Sequence, residues 1–179
     1  MKTEEDIKKA VEVMRQGGVI LYPTDTVWGI GCDATNAEAV AKVYKIKHRD
    51  DSKALICLVD SDNRLQRYVR NVPDVAWQLF ECADKPTTVI LDGAVNLAEN
   101  LIADDGSIAM RITSEPFSKE LCYRFQKPIV FNLCQHLWRA DGTELLRHFA
   151  GNHRRCGLRL LDTPTGAQAP QAVEHHKAW

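Results

Sequence analysis

Over its first 130 residues the chain alternates two kinds of segment. Apolar runs too short for helices are separated by longer stretches whose apolar residues recur every three to four positions. That alternation restricts the architecture more than any other feature. A short apolar run without a polar face is buried on both sides, and flanking helices are what bury it. The expected class is α/β, with a largely buried sheet.

Local chemistry sets the elements. Thr3 with Asp6 resembles a helix start, although the third helical position of a capping box is ordinarily Glu or Gln. Ile7, Ala10, Val11 and Met14 then line one helical face. Gly17-Gly18 stops this helix by admitting positive φ. Residues 19–22 read as a buried strand that Pro23 ends. Asn36 is placed to cap a helix through Lys47, with Val40, Val43 and Tyr44 inward. Strands are expected at 54–59, 87–91 and 107–112, and helices around 74–82 and 116–125. One more strand begins at 128–130.

Bulk properties remove several function classes. At 179 residues the chain is one domain's worth, long enough to bury a core. Lys+Arg 23 against Asp+Glu 24 leaves a net charge of -1, which excludes a globally basic nucleic-acid binder but not a local basic groove. No apolar run approaches the ~20 residues of a membrane helix. The start, MKTEEDIKK, has no apolar stretch of a secretory signal, so a cytoplasmic protein with no membrane partner is expected. The cysteines at 32, 57, 82, 122, 134 and 156 form no CxxC pair, and buried free thiols in a reducing compartment are the expected reading. No metal site is indicated, and His48 alone does not make one.

Residues 131–179 break the pattern. Five of the six histidines fall there, and Arg outnumbers Lys five to one against seven to ten before it. Pro and Ala cluster in GAQAPQAVEHHKAW, and no strand alternates convincingly. The spacing over 137–149 is compatible with one amphipathic helix; a helical hairpin with a disordered tail is the plain alternative.

Candidate chemistry lies earlier. The segment 22–31, Tyr-Pro-Thr-Asp-Thr-Val-Trp-Gly-Ile-Gly, reads as a loop beyond a strand end, where open α/β sheets place ligands. Thr24 and Thr26 can donate to and accept from a small polar substrate, and Gly29 and Gly31 admit close approach of backbone. On composition alone, a plain turn with self-satisfied Thr and Asp is the preferred reading. Lys45, Lys47, Arg49 and Lys53 gather where a helix ends and a strand begins. They could clamp a polyphosphate, or simply complement the helix dipole. Arg111 interrupts an apolar strand, Ile108-Ala-Met-Arg-Ile112, so it requires a partner, a ligand or an exposed edge.

These residues resemble a known family. Tyr-Pro-Thr-Asp-Thr-Val-Trp-Gly at 22–29 is similar to the Pro-Thr-(Asp/Glu)-Thr-Val-Tyr-Gly signature of the YrdC-like threonylcarbamoyl-adenylate synthases. Lys47-His-Arg49 with Lys53-Ala-Leu55 resembles the family's Lys-x-Arg and downstream Lys-Pro-Leu. Pro86-Thr-Thr-Val-Ile-Leu91 and Ile108-Ala-Met-Arg-Ile112 resemble its next two strands. The departures are Trp28 for Tyr, Ala54 for Pro, and Lys85 where a Gly-rich turn is commoner. The likeness covers about residues 5–130, so 1–130 reads as the N-terminal portion of a YrdC-like domain.

Past Val130 the family continues with Ser-Thr-Ser-Ala-Asn-Ile-Ser-Gly, whereas this chain reads Phe131-Asn-Leu-Cys-Gln-His-Leu-Trp138. The genetic code relates the two. Started one base late in the codon of Phe131, the same DNA permits that family string residue for residue. The same shift over Ala172-Val-Glu-His-His-Lys-Ala-Trp179 permits Pro-Ser-Ser-Ile-Ile-Lys-Leu, which resembles the family's closing motif. Residues 131–179 therefore read as an out-of-frame tail produced by one extra base near codon 131.

The resemblance implies an α/β fold with an open twisted mixed sheet flanked by helices, its C-terminal part non-native. It implies a nucleotidyltransferase that condenses L-threonine, bicarbonate and ATP into threonylcarbamoyl-AMP and pyrophosphate for tRNA modification. Carried over by motif, Thr24, Thr26 and Arg111 hold threonine, with Arg111 on its carboxylate. Lys47 and Arg49 neutralise the ATP phosphates, Lys53 lines the same groove, and Mg2+ screens the triphosphate. No side chain resembles a covalent nucleophile. Other tRNA-modification proteins, tRNA and double-stranded RNA are the macromolecular partners implied. Two alternatives remain: a non-catalytic double-stranded RNA-binding relative, and a carbamoyl-transfer module like that of hydrogenase-maturation proteins.

Overall fold

The computed structural model describes residues 2–24, 29–47 and 55–133. Helix α1, Lys2–Arg15, leads into strand β1, Ile20–Tyr22, and β2, Gly29–Gly31. Helix α2, Ala37–Lys47, precedes β3, Ile56–Val59, followed by a short α3, Asp62–Leu65, and α4, Asp74–Cys82. Strand β4, Val89–Leu91, a 3-10 turn at Glu99–Leu101, β5, Ile108–Ile112, α5, Pro116–Phe125, and β6, Ile129–Leu133, complete the order. The six strands form one sheet in the order β1-β2-β6-β3-β5-β4. Only β3 and β5 pair in parallel; the other neighbours are antiparallel, so the sheet is mixed.

The local rules explain most of this. Ile7, Ala10, Val11 and Met14 are all buried along α1. Gly17, at φ 72°, ends that helix in the left-handed region that Gly alone enters freely. Asn36 caps α2, its Oδ1 accepting from the Glu38 and Ala39 amides at 3.0 and 3.1 Å. Glu115 caps α5 in the same way, accepting from the Phe117 and Ser118 amides.

Three sequence expectations change. Thr3 lies inside α1, not ahead of it, because the helix already runs from Lys2. The expected loop 22–31 contains a strand: Gly29-Ile30-Gly31 pairs with β1 on one side and β6 on the other. A Gly-x-Gly triplet has no alternation to announce it, and its neighbours impose the extended form. Cys32, Cys57 and Cys122 are buried free thiols as expected, but Cys82 is exposed. Burial pushes the Cys57 thiol up to about 12 and, with the Asp33 carboxylate, raises Cys32 further, so both stay protonated near neutral pH. The possible helix at 137–149, Cys134 and Cys156 lie outside the described residues.

Strand register divides the core in two. One face carries Leu21, Ile30, Cys32, Cys57, Val59, Ile108, Met110 and Val130, covered by Val40 and Val43 of α2, Leu65 of α3 and Ala76 of α4. The other carries Ile20, Tyr22, Leu58, Ile129 and Phe131, covered by α1 and by Leu121, Cys122 and Phe125 of α5. On that second face the pairing Ile56–Ala109–Ile90 continues the sheet surface outward. Ile90 is 72% exposed there, and Ala109 is only half-buried. Among the described residues no helix packs over Ile90, so among them this half of the face is open.

A buried ion pair fixes the closed side. Arg64 Nε donates to Asp60 Oδ1 at 2.9 Å, and Nη1 donates to the Gln126 carbonyl at 2.9 Å, which ties α3 to the end of α5. Both charged residues are buried. Arg64→Met strands the Asp60 carboxylate and frees the α5 terminus. It should lower unfolding free energy by about 3 kcal/mol, read from urea titrations followed by circular dichroism. An unchanged midpoint would show that the pair is dispensable.

Candidate functional site

The open half of the sheet is bordered by the residues that carry the sequence motifs. Arg111 stands on β5 in register with Leu58 of β3, and so shares the face of Leu58, Ile129 and Phe131. It is only 8% exposed, on an inner strand between β3 and β4, so the edge-exposure alternative does not hold. Its Nε donates to Thr88 Oγ1 at 2.9 Å. Its guanidinium carbon lies 5.6 Å from the centroid of the Phe131 ring, a cation–π distance.

Phe131 joins Arg111 to the first motif. Its ring packs edge-on against Tyr22 at 6.4 Å between centroids. A Cβ built on Gly29 would fall 2.3 Å from that same ring and 3.5 Å from Thr24 Cγ2. Gly29 is therefore required by the chain's own packing: no side chain fits between β2 and Phe131. Gly31 is required likewise, since its Cβ would meet the Val130 carbonyl at 2.3 Å. The close approach expected at both glycines is real, and in this structure protein atoms make it. Tyr22 donates its hydroxyl to the Val130 carbonyl at 3.2 Å, and burial raises its pKa well above the usual phenol range, so it stays neutral.

Thr24, Phe131, Arg111 and Thr88 thus form a connected row on one sheet face. Thr26, Arg49 and Lys53 lie outside the described residues. Lys47 is the last residue of α2, and the placement of its side chain is not described. Two contributors were invisible in the sequence reading. Thr88 is an ordinary strand threonine until register sets it beside Arg111. Phe131 falls just past the last motif read from the sequence, yet it lies in β6 and is fully buried.

The Pro86-Thr-Thr motif divides between two surfaces. Pro86 and Thr87, with Trp77, Phe80, Lys85 and Lys119, line an open cavity of about 360 Å³. Trp77, Phe80 and Ile112 of that lining pack against the other core cluster, away from Arg111. Among the described residues there is no group of three His, Cys, Asp or Glu side chains able to hold a metal ion, and no helix long and apolar enough to cross a membrane.

Comparison with known proteins shows the family and the fold. The Sua5/YciO/YrdC family model, described as "Telomere recombination", matches residues 12–153. The threonylcarbamoyl-AMP synthase of Pseudoalteromonas translucida is 36% identical over 133 residues, spanning 73% of this chain and 71% of that protein. The crystal structure of E. coli YciO superposes with a TM-score of 0.71 at 25% identity, covering 86% of this chain and 76% of that one. P. abyssi Sua5 complexed with L-threonine superposes with a TM-score of 0.68 at 24% identity, covering 72% of this chain and 38% of that one, a likeness of fold. A mixed six-stranded sheet, an inward arginine on its open face and a family match over most of the length converge on one assignment: the chain belongs to the Sua5/YciO/YrdC family.

Proposed function

We propose that this fold serves as an L-threonylcarbamoyladenylate synthase, and that the chain from codon 131 onward is read out of frame and impairs it. The observation that carries the first part is the placement of Arg111. A guanidinium so deeply buried on an inner strand, on the sheet face that carries Phe131 and Ile90, suits an anion of a small ligand. The naming of a close relative as threonylcarbamoyl-AMP synthase, and of a structural neighbour as complexed with L-threonine, supports threonine as that ligand and ATP as co-substrate.

In this reading Thr24, Thr26 and Arg111 hold the amino acid. Lys47, Arg49 and Lys53 hold the phosphates as cations. Threonine and bicarbonate form a carbamate with loss of water, and a carbamate oxygen displaces pyrophosphate from the α-phosphorus of ATP. No bond to the protein is required, so the protein supplies position and charge. Magnesium enters with ATP as its complex and screens the triphosphate. Delivery of the product to tRNA, and a cytoplasmic site of action, follow from the same reading.

Thr24, Thr26 and Arg111 all precede codon 131, so the chain as written should still bind L-threonine, though more weakly than a frame-restored one, in the presence of ATP. Calorimetric titration reads this directly. Binding of RNA with a steep salt dependence, and no uptake of threonine or ATP, would replace the synthase with the non-catalytic alternative.

A further inference from the structure

Arginine recognises a carboxylate through two parallel hydrogen bonds, and that geometry works only when the guanidinium plane is held still. Two contacts of Arg111 bear on the orientation of its plane. Thr88 Oγ1 accepts from Nε at 2.9 Å, in the plane of the group. The Phe131 ring supports the group from below, 5.6 Å from its carbon. A hydrogen bond in the plane and a ring beneath it leave little rotation about the side chain's last bonds. Because Nε is engaged by Thr88, a carboxylate is directed to the terminal nitrogens.

We propose that Thr88 is a positioning residue, which holds Arg111 in the one orientation that accepts the α-carboxylate of an amino-acid substrate. This rests on the reading of the site given above and adds the residue that makes its arginine selective. The assignment comes from register: β4 is antiparallel to β5, which sets the residue before Val89 beside Arg111. The neighbouring Thr87 lines the cavity on the other surface, so the two threonines of one motif have different tasks.

The test uses the full chain and two near-isosteric variants. Thr88→Val removes the acceptor oxygen and keeps the shape; Thr88→Ser keeps the oxygen. Calorimetry with L-threonine should show about tenfold weaker binding for Thr88→Val, the scale of one hydrogen bond to a charged group, and within about twofold of wild type for Thr88→Ser. L-Threoninol, which has a hydroxymethyl in place of the carboxylate, should bind weakly and equally to all three. ATP affinity should not move. Equal loss of threonine and threoninol would mean general damage to the pocket, and overturns the proposal. So does a Thr88→Val variant with unaltered threonine affinity.

A second readout needs no ligand. The Arg111 Nε–H resonance of 15N-labelled protein should exchange slowly with water in wild type and Thr88→Ser, and at least about tenfold faster in Thr88→Val. Identical exchange in all three overturns the clamp whatever the ligand. A protected resonance in a wild-type chain that binds no amino acid instead overturns the synthase reading, and leaves the clamp in place.

Discussion

Replacing Arg111 with methionine should weaken L-threonine binding by at least about 30-fold, the lower end for truncating one partner of a desolvated, hydrogen-bonded charge pair. The fold should survive. Arg111 is buried on an inner strand, and an unbranched apolar side chain occupies the same channel without a charge to satisfy. A melting temperature at or above wild type, together with lost threonine affinity, separates binding from folding. Arg111→Lys should fall between the two: the charge remains, but a single ammonium replaces the planar fork and cannot serve Thr88 and a carboxylate at once. ATP should bind all three proteins alike, since its expected cations are other residues, Lys47, Arg49 and Lys53. Threonine affinity within about twofold of wild type in Arg111→Met would remove the carboxylate role and with it the central contact of the proposed site.

How far this site could be read from sequence follows from what each residue needed. Arg111 was legible because a cation in an apolar strand contradicts its surroundings, and such contradictions mark function. Thr24 and its glycines were legible because hydroxyls and glycines cluster directly after a strand. The helices were legible wherever a periodic face coincided with a cap, as at Asn36 and at α5. Strand β2 was not, because Gly29-Ile30-Gly31 has no pattern and takes its conformation from β1 and β6. Thr88 was not, because its meaning lies in a cross-strand neighbour more than twenty residues away. Phe131 was missed for a different reason. The sequence motif ended at Val130, but the hydrogen-bonded ladder does not: Ile56 pairs with Phe131 and Ile30 with Asn132. Motif boundaries and strand boundaries are set by different constraints, and only register reveals the second.

That continuity makes the effect of frame restoration specific. Removing one base within the codon of Phe131 should place Ser-Thr-Ser at 131–133 and restore Ala-Asn-Ile-Ser-Gly beyond. Threonine-dependent pyrophosphate release should then rise by at least about a hundredfold over the present chain. Two regained hydrogen bonds to a charged ligand, at ~1.5 kcal/mol each, account for that bound. The geometry says where one of them would form. Phe131 fills the space between Gly29, Thr24 and Arg111, and the Gly29 contact shows that nothing else fits beside it. A serine there would vacate the ring's volume and set a hydroxyl among a threonine, an arginine and open sheet, where a small polar ligand could enter. The cation–π support under Arg111 would be lost in the exchange. The Thr88 hydrogen bond would not, since Thr88 precedes codon 131 and is unaffected by the change. Frame-restored protein should therefore keep the Thr88→Val penalty while gaining turnover. The outcome that defeats this account is simple to recognise: the present chain releases pyrophosphate as fast as the frame-restored one, or the gene reads cleanly through codon 131 with no base in excess of its relatives. Phe131 would then be a native part of the floor, and Arg111 would owe its orientation to the ring as much as to Thr88.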